Sequence, residues 1–149
     1  MSNARTMLCR LYLAIAAVAL VATWRQNLAF MKDAGLSLPD GFVQFWPALL
    51  ANRATISITV DIFLFTLAAT IWMVLEARRV GVRNVWLYVL FAITIAISVT
   101  FPLFLYARER RLATLEPAAT EPRPTSGDKA GLAFLTLGTV AFAAWCTLR

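Results

Sequence analysis

Asp61 is the residue of this chain best placed to do chemistry, because it is the one acid inside a long apolar run, residues 55–75. An ionisable group within a membrane span is costly and is a candidate for a functional role. It lies roughly 9 Å from the start of the run at 1.5 Å per residue, so it could also reach interfacial water. A structural Asp61 would instead bond to a Thr or Ser across a helix pair or cap broken backbone. Thr94 and Ser98, which form one polar strip on a later run, are the candidate partners.

Glu76 follows the same run, and its spacing from Asp61 excludes a paired-carboxylate site. Fifteen residues at 100° each leave the two acids about 60° apart around a helix and about 22 Å apart along it. Paired catalytic carboxylates lie only about 5–9.5 Å apart. Since Arg78 and Arg79 follow closely, we expect Glu76 to form an ion pair with one of them at the membrane surface.

The composition removes several other chemistries. The chain has no histidine, so neither a His-ligated haem or zinc nor a His-based proton relay is available, and no cofactor or metal is predicted. No glycine-rich phosphate-binding motif occurs. Cys9 and Cys146 are predicted to be free thiols, with a disulfide as the alternative if their side of the membrane is oxidising.

The elements that carry these residues are apolar runs long enough to cross a bilayer. Of 149 residues 60% are hydrophobic, against about 45–50% in soluble domains, and the mean hydropathy is +0.71. Each run is too long and too continuous for a barrel strand. The sequence therefore predicts an all-α, polytopic membrane protein with about four transmembrane helices, at residues 8–24, 55–75, 85–106 and 130–149.

The first run has a second interpretation. Arg5 and Arg10, followed by a stretch that contains Ala17-Val18-Ala19, are also typical of a signal peptide. Cleavage at that site would leave a very short apolar region, so we interpret the run as a retained membrane anchor.

The connections between the runs differ in character. In the first, residues 41–52 place Phe42, Phe45 and Trp46 at helical spacing, which predicts an amphipathic helix in the membrane interface. Residues 113–129 are predicted to be a flexible linker. Residues 1–112 would then form a three-helix membrane unit, to which the linker tethers a fourth helix.

Two residues are expected to shape the helix ends, and the charges flank the spans. Gly81 suits a helix C-cap, and Pro102 should bend the third helix and free the carbonyl of Ser98. Four spans place six Lys/Arg on one side and eight on the other, which does not decide the orientation. Basic residues at span ends meet anionic headgroups, so membrane lipids are predicted partners and nucleic acid is not.

Three motifs stand together in one stretch of the chain. Asp61 opens the second span, a turn reads Glu76-Ala77-Arg78-Arg79-Val80-Gly81, and residues 102–110 read PLFLYARER. With them, residues 8–112 resemble a family of small bacterial membrane proteins known only as a domain of unknown function. That resemblance implies a three-helix fold in the bacterial inner (cytoplasmic) membrane but no activity, cofactor or substrate. The fourth span departs from the pattern. Structural or interaction roles are predicted for Glu76, Arg78, Arg79, Gly81, Thr94, Ser98, Pro102, Arg108 and Arg110.

The leading hypothesis for function is a non-catalytic accessory or scaffold subunit of a membrane complex, with other membrane protein subunits as partners. Small size and the lack of a catalytic constellation motivate it. One alternative is a membrane-embedded enzyme acting on a lipid or isoprenoid, with Asp61 as acid or base, which needs a polar cavity around Asp61. Another is a small oligomeric proton-coupled transporter, which needs a symmetric oligomer with Asp61 facing a shared pathway.

Overall fold

A computed structural model describes residues 3–115, together with the single helical residues Ser126, Ala130 and Leu137. The chain divides into two compact units, Met1–Leu115 and Glu116–Arg149. The predicted fourth span, residues 130–149, lies outside the described residues apart from Ala130 and Leu137. All that follows concerns the first unit.

The first unit is helical throughout its described length. Its elements are α1 (Asn3–Asp33), α2 (Leu38–Ala48), α3 (Arg53–Val80), α4 (Val85–Phe91), a π-helical turn (Ala92–Ala96) and α5 (Ile97–Leu115). Within the described part of the chain, three helical stretches are long and apolar enough to cross a membrane: 3–33, 53–80 and 85–115. The helix α2 covers residues 38–48, where an interfacial helix was predicted at 41–52, and α5 extends three residues into the segment 113–129 that was predicted to be a linker. The rest of that segment lies outside the described residues apart from Ser126.

Side-chain caps and a glycine define the ends of α3. The Asn52 side chain accepts hydrogen bonds from the backbone N–H groups of Ala54 and Thr55, at 2.9 and 3.0 Å. In return the Asn52 N–H donates to Thr55 Oγ1 at 3.1 Å, which completes a capping box. At the other end Gly81 is the C-cap residue, with φ of 76°. This left-handed conformation favours glycine because it has no Cβ.

The last apolar stretch is not one straight helix. The rings of Tyr88 and Phe104 lie 5.7 Å apart between centroids. In a straight helix the Cα atoms of two residues sixteen positions apart would be separated by about 24 Å, which is too far for the rings to meet. The chain therefore reverses direction through the π-helical turn, where the regular helical hydrogen-bond ladder is interrupted. We call residues 85–115 the helical hairpin.

Contacts between α3 and α5 show that these two helices run parallel. The contacting pairs advance together along both helices: Phe65 with Phe101, Trp72 with Phe104, Glu76 with Arg108, and Val80 with Arg111. Because α4 connects the end of α3 to this returning helix, α4 runs antiparallel to both. The two ends of the helical hairpin therefore lie at the same end of the unit as the C-terminus of α3.

The first helix brings its N-terminus to that same end. Arg5 Nε lies 3.8 Å from Glu109 Oε2, and α1 packs along α5, so these two helices are antiparallel. At the opposite end α2 contacts both long helices. The ring of Phe45 lies 6.2 Å from that of Phe30 in α1, and the ring of Trp46 lies 6.2 Å from that of Phe63 in α3.

The reversal corrects the topology expected from three straight spans. That topology places Arg108 and Arg110 on the opposite side from Arg78 and Arg79. The structure instead gathers them at one end, which we call the arginine-rich end. The expectation was wrong because apolar content alone does not distinguish a straight span from a hairpin.

A small core lies where the hairpin packs on α3. It consists of the buried residues Ala69, Met73, Ala77, Val85, Ala92, Ile97 and Phe104. Met73 and Phe104 are fully buried. Pro102 is also buried and lies inside α5, in the second turn of this helix. Packing is thus concentrated in the half of α3 nearest the arginine-rich end.

Candidate functional site

An ion-pair cluster joins α3 to α5 at the arginine-rich end. Arg79 Nε and Nη2 donate to the two carboxylate oxygens of Glu76, each at 2.6 Å, and Arg108 Nε donates to Glu76 Oε1 at 2.6 Å. The Glu76 side chain is only 8% exposed. Of the two partners expected for Glu76, Arg79 is therefore the one that binds, and Arg78 is exposed.

Glu109 extends the cluster to α1. Arg108 Nη1 donates to Glu109 Oε1 at 2.5 Å, and Arg5 approaches the same carboxylate at 3.8 Å. The Arg108 guanidinium also lies 5.9 Å from the ring centroid of Trp72, within cation–π range. We call these five charged residues, Arg5, Glu76, Arg79, Arg108 and Glu109, the Glu76 cluster. It links three helices and has the geometry of a structural clamp, with its carboxylates occupied by guanidinium groups.

Asp61 lies far from this cluster, on an open face of α3. It is about 12 Å along the helix from Arg53, where α3 begins. Asp61 is exposed, and no hydrogen bond or ion pair joins it to any residue that the structure describes. Its neighbours on that face, Ile58, Leu64 and Phe65, are 65%, 62% and 55% exposed. The described residues therefore enclose no cavity around Asp61.

The polar partners expected for Asp61 do not reach it. Thr94 Oγ1 donates to the carbonyl of Leu90 at 3.0 Å, within its own helix. Ser98 is exposed at the start of α5 and makes no hydrogen bond to Asp61. Thr94 and Ser98 are therefore not partners of Asp61 among the contacts of the described residues.

Only one of the two cysteines lies among the described residues. Cys9 is buried and free, whereas Cys146 lies outside the described residues. Among the described residues, no group of three His, Cys, Asp or Glu side chains is arranged to hold a metal ion.

A basic groove opens beside the Glu76 cluster, and sequence reasoning missed it. It has a volume of about 650 Å³ and is lined by Gly81, Val82, Arg83, Tyr88, Tyr106, Ala107, Arg110, Arg111 and Thr114. We call it the arginine groove. Its walls come from the turn after α3, the start of α4 and the end of α5, and only the reversal of the chain brings them together. None of the residues that line it is acidic.

These features define a class of protein: an all-helical chain whose described helices are suited to a membrane, with its ion pairs and its groove at one end. More particularly, the chain belongs to the family described as "Protein of unknown function DUF2834", which matches residues 11–110. The uncharacterised family expected from the motifs is thereby confirmed. No curated protein and no solved structure matches the chain.

Proposed function

We propose that this chain is a non-catalytic subunit of a bacterial inner-membrane complex that docks a membrane-spanning helix of a different protein against the N-terminal half of α3. The observation that supports this proposal is Asp61, an exposed acid within residues 54–75 of α3, which carry no other charge. A charged side chain within the hydrocarbon core costs about 2.5–3.5 kcal/mol by insertion scales. A partner helix that donates a hydrogen bond to Asp61 offsets that cost.

The packing of α2 supports the choice of face. Thr59 Oγ1 donates to the carbonyl of Leu49 at 3.4 Å, and the Phe63 ring packs against Trp46 of α2. At 100° per residue, Asp61 lies about 160° around the helix from both Thr59 and Phe63. The amphipathic segment therefore covers the side of α3 opposite to Asp61. On the Asp61 face, Phe65 contacts Phe101 of α5 one turn beyond Asp61, so the part of this face from Asp61 back toward the start of α3 is the part available to another helix.

The two alternatives find less support. The enzyme hypothesis needs a polar cavity around Asp61, and the described neighbours of Asp61 on its face of α3 are exposed and, apart from Ser57, apolar. The transporter hypothesis needs a second copy of the chain on the Asp61 face, which the experiment below distinguishes from a different subunit.

The arrangement of charges also supports an orientation. Eight arginines lie toward the arginine-rich end of residues 3–115: Arg5, Arg10, Arg78, Arg79, Arg83, Arg108, Arg110 and Arg111. Three basic residues lie toward the opposite end: Arg25, Lys32 and Arg53. Since positive residues are retained in the cytoplasm, the arginine-rich end faces the cytoplasm, and the helical hairpin enters and leaves the membrane from that side.

Site-specific photo-crosslinking in cells tests the docking. A photoreactive residue at Ile58 lies about 60° from Asp61 around α3, whereas one at Leu67, about 180° from Ile58, serves as the matched control. We expect a crosslink to a different membrane protein from Ile58 and not from Leu67. Because a hydrogen bond to a charged group contributes about 1.5–3 kcal/mol, Asp61→Ala should weaken the association about tenfold or more.

Three outcomes would contradict the proposal. A crosslinked product with twice the mass of the chain would favour the oligomeric transporter. Equal crosslinking from Ile58 and Leu67 would show unspecific contact. The absence of any intermolecular product from Ile58 would leave Asp61 without a docked helix.

A further inference from the structure

The arginines at the arginine-rich end fall into two sets with different surroundings. Those of the Glu76 cluster lie against carboxylates, as described above. Those of the arginine groove, Arg83, Arg110 and Arg111, line a surface without a carboxylate, and within residues 3–115 no salt bridge involves them. The groove therefore concentrates positive charge that the described chain does not neutralise.

Two of the groove arginines are held in place by uncharged groups. Arg110 Nη1 donates to the Tyr106 hydroxyl at 3.3 Å, and its guanidinium lies 5.8 Å from the centroid of the same ring. Arg111 Nε donates to the carbonyl of Val80 at 3.3 Å. A guanidinium has five N–H donors. Each of these contacts uses one of them, so the side chains are oriented while most donors remain available to a ligand.

Gly81 forms part of the groove at the turn after α3. A Cβ there would lie 3.4 Å from Arg111 Nε, an ordinary van der Waals distance, so glycine is favoured by the positive φ of 76° and not by lack of space. Half-buried Tyr88 forms an adjacent wall. Because the groove lies where two long apolar helices end, it would sit at the depth of lipid headgroups, where arginine and tyrosine side chains are favoured.

We propose that the arginine groove binds a phosphate group, carried either by the headgroup of an anionic lipid or by a soluble phosphate. Arginine suits this ligand because its planar fork binds phosphate oxygens in bidentate fashion. A groove with three arginines and no acid among its lining residues differs from a generally basic surface, which attracts anionic lipids without a fixed site. This proposal does not depend on what docks at Asp61.

Native mass spectrometry of the full-length protein in neutral detergent tests the proposal. Phosphatidylglycerol is titrated in one arm, zwitterionic phosphatidylcholine in a second, and inorganic phosphate is added to the lipid-loaded protein in a third. We expect one phosphatidylglycerol per chain, retained at least tenfold better than phosphatidylcholine. Displacement by millimolar inorganic phosphate would assign the site to a soluble phosphate, and resistance to displacement would assign it to the lipid.

Variants identify the groove as the site. Arg110→Gln should weaken phosphatidylglycerol retention at least tenfold. Arg83→Gln, on the turn and outside the helices, should also weaken it without removing a helix–helix contact. Arg78→Gln is the matched control, because Arg78 lies at the same end but does not line the groove; its retention should equal that of the wild type. Equal retention in all variants, an equal loss in Arg78→Gln, or equal binding of the two lipids would overturn the proposal.

Discussion

Substitution of Glu76 by glutamine should destabilise the first unit, because Glu76 is the carboxylate shared by two guanidinium groups. Glutamine keeps the size of the side chain and removes its charge. Arg79 then loses a bidentate partner, and Arg108 loses its contact across to α3. The helical hairpin is thereby held less firmly against α3.

The magnitude follows from the exposure of the two arginines. The Arg79 side chain is 64% exposed, and exposed ion pairs contribute only about 0.2–1 kcal/mol. The Arg108 side chain is 22% exposed, and removal of one partner from a buried pair costs about 3–5 kcal/mol. Glu109 still binds Arg108 after the substitution, so we expect a loss below that range, of about 2 kcal/mol.

Reversible unfolding in mixed micelles, followed by circular dichroism as the fraction of denaturing detergent rises, measures this loss. Arg79→Gln is the control, because it removes the exposed partner and leaves the Glu76–Arg108 pair intact; it should cost about 0.5 kcal/mol. If Glu76→Gln destabilised the protein no more than Arg79→Gln does, the contact between α3 and α5 would not contribute as argued.

Two further predictions test the course of the chain. Nitroxide labels at Arg83→Cys and Arg110→Cys should give a short distance, because both positions line one groove, whereas a straight helix would hold them about 40 Å apart; a distance near that value would refute the reversal. In a variant with serine at Cys9 and Cys146, an impermeant maleimide should label Ser37→Cys in intact cells and Arg83→Cys only after permeabilisation. The reverse pattern would refute the proposed orientation.

The helices themselves could be predicted from the sequence, because the information is local. A run such as residues 55–75 is apolar on all sides, and each residue contributes independently of the rest of the chain. The turn that follows is also encoded locally. A helix that ends in a left-handed C-cap residue favours glycine at that position, and Gly81 occupies it. Asn84, three residues after Gly81, also has a positive φ, of 57°, which asparagine tolerates better than most residues.

The reversal and the arginine groove could not be predicted in this way, because they depend on contacts between distant residues. Glu76 and Arg108 are 32 positions apart, and only the folded chain brings them together. One feature of the sequence does indicate this contact: Glu76 and Glu109 each lie close to arginines. The carboxylate of either segment can therefore pair with a guanidinium of the other.

The helical hairpin also bears on how the protein enters a membrane. If the last stretch crossed the bilayer, the arginines at 108, 110 and 111 would have to be translocated during biosynthesis. Each arginine opposes insertion by about 2.5–3.5 kcal/mol at the centre of a helix. In the hairpin these arginines stay on the side from which the segment enters. Insertion of residues 85–115 can therefore follow that of α1 and α3 without translocating a charged loop.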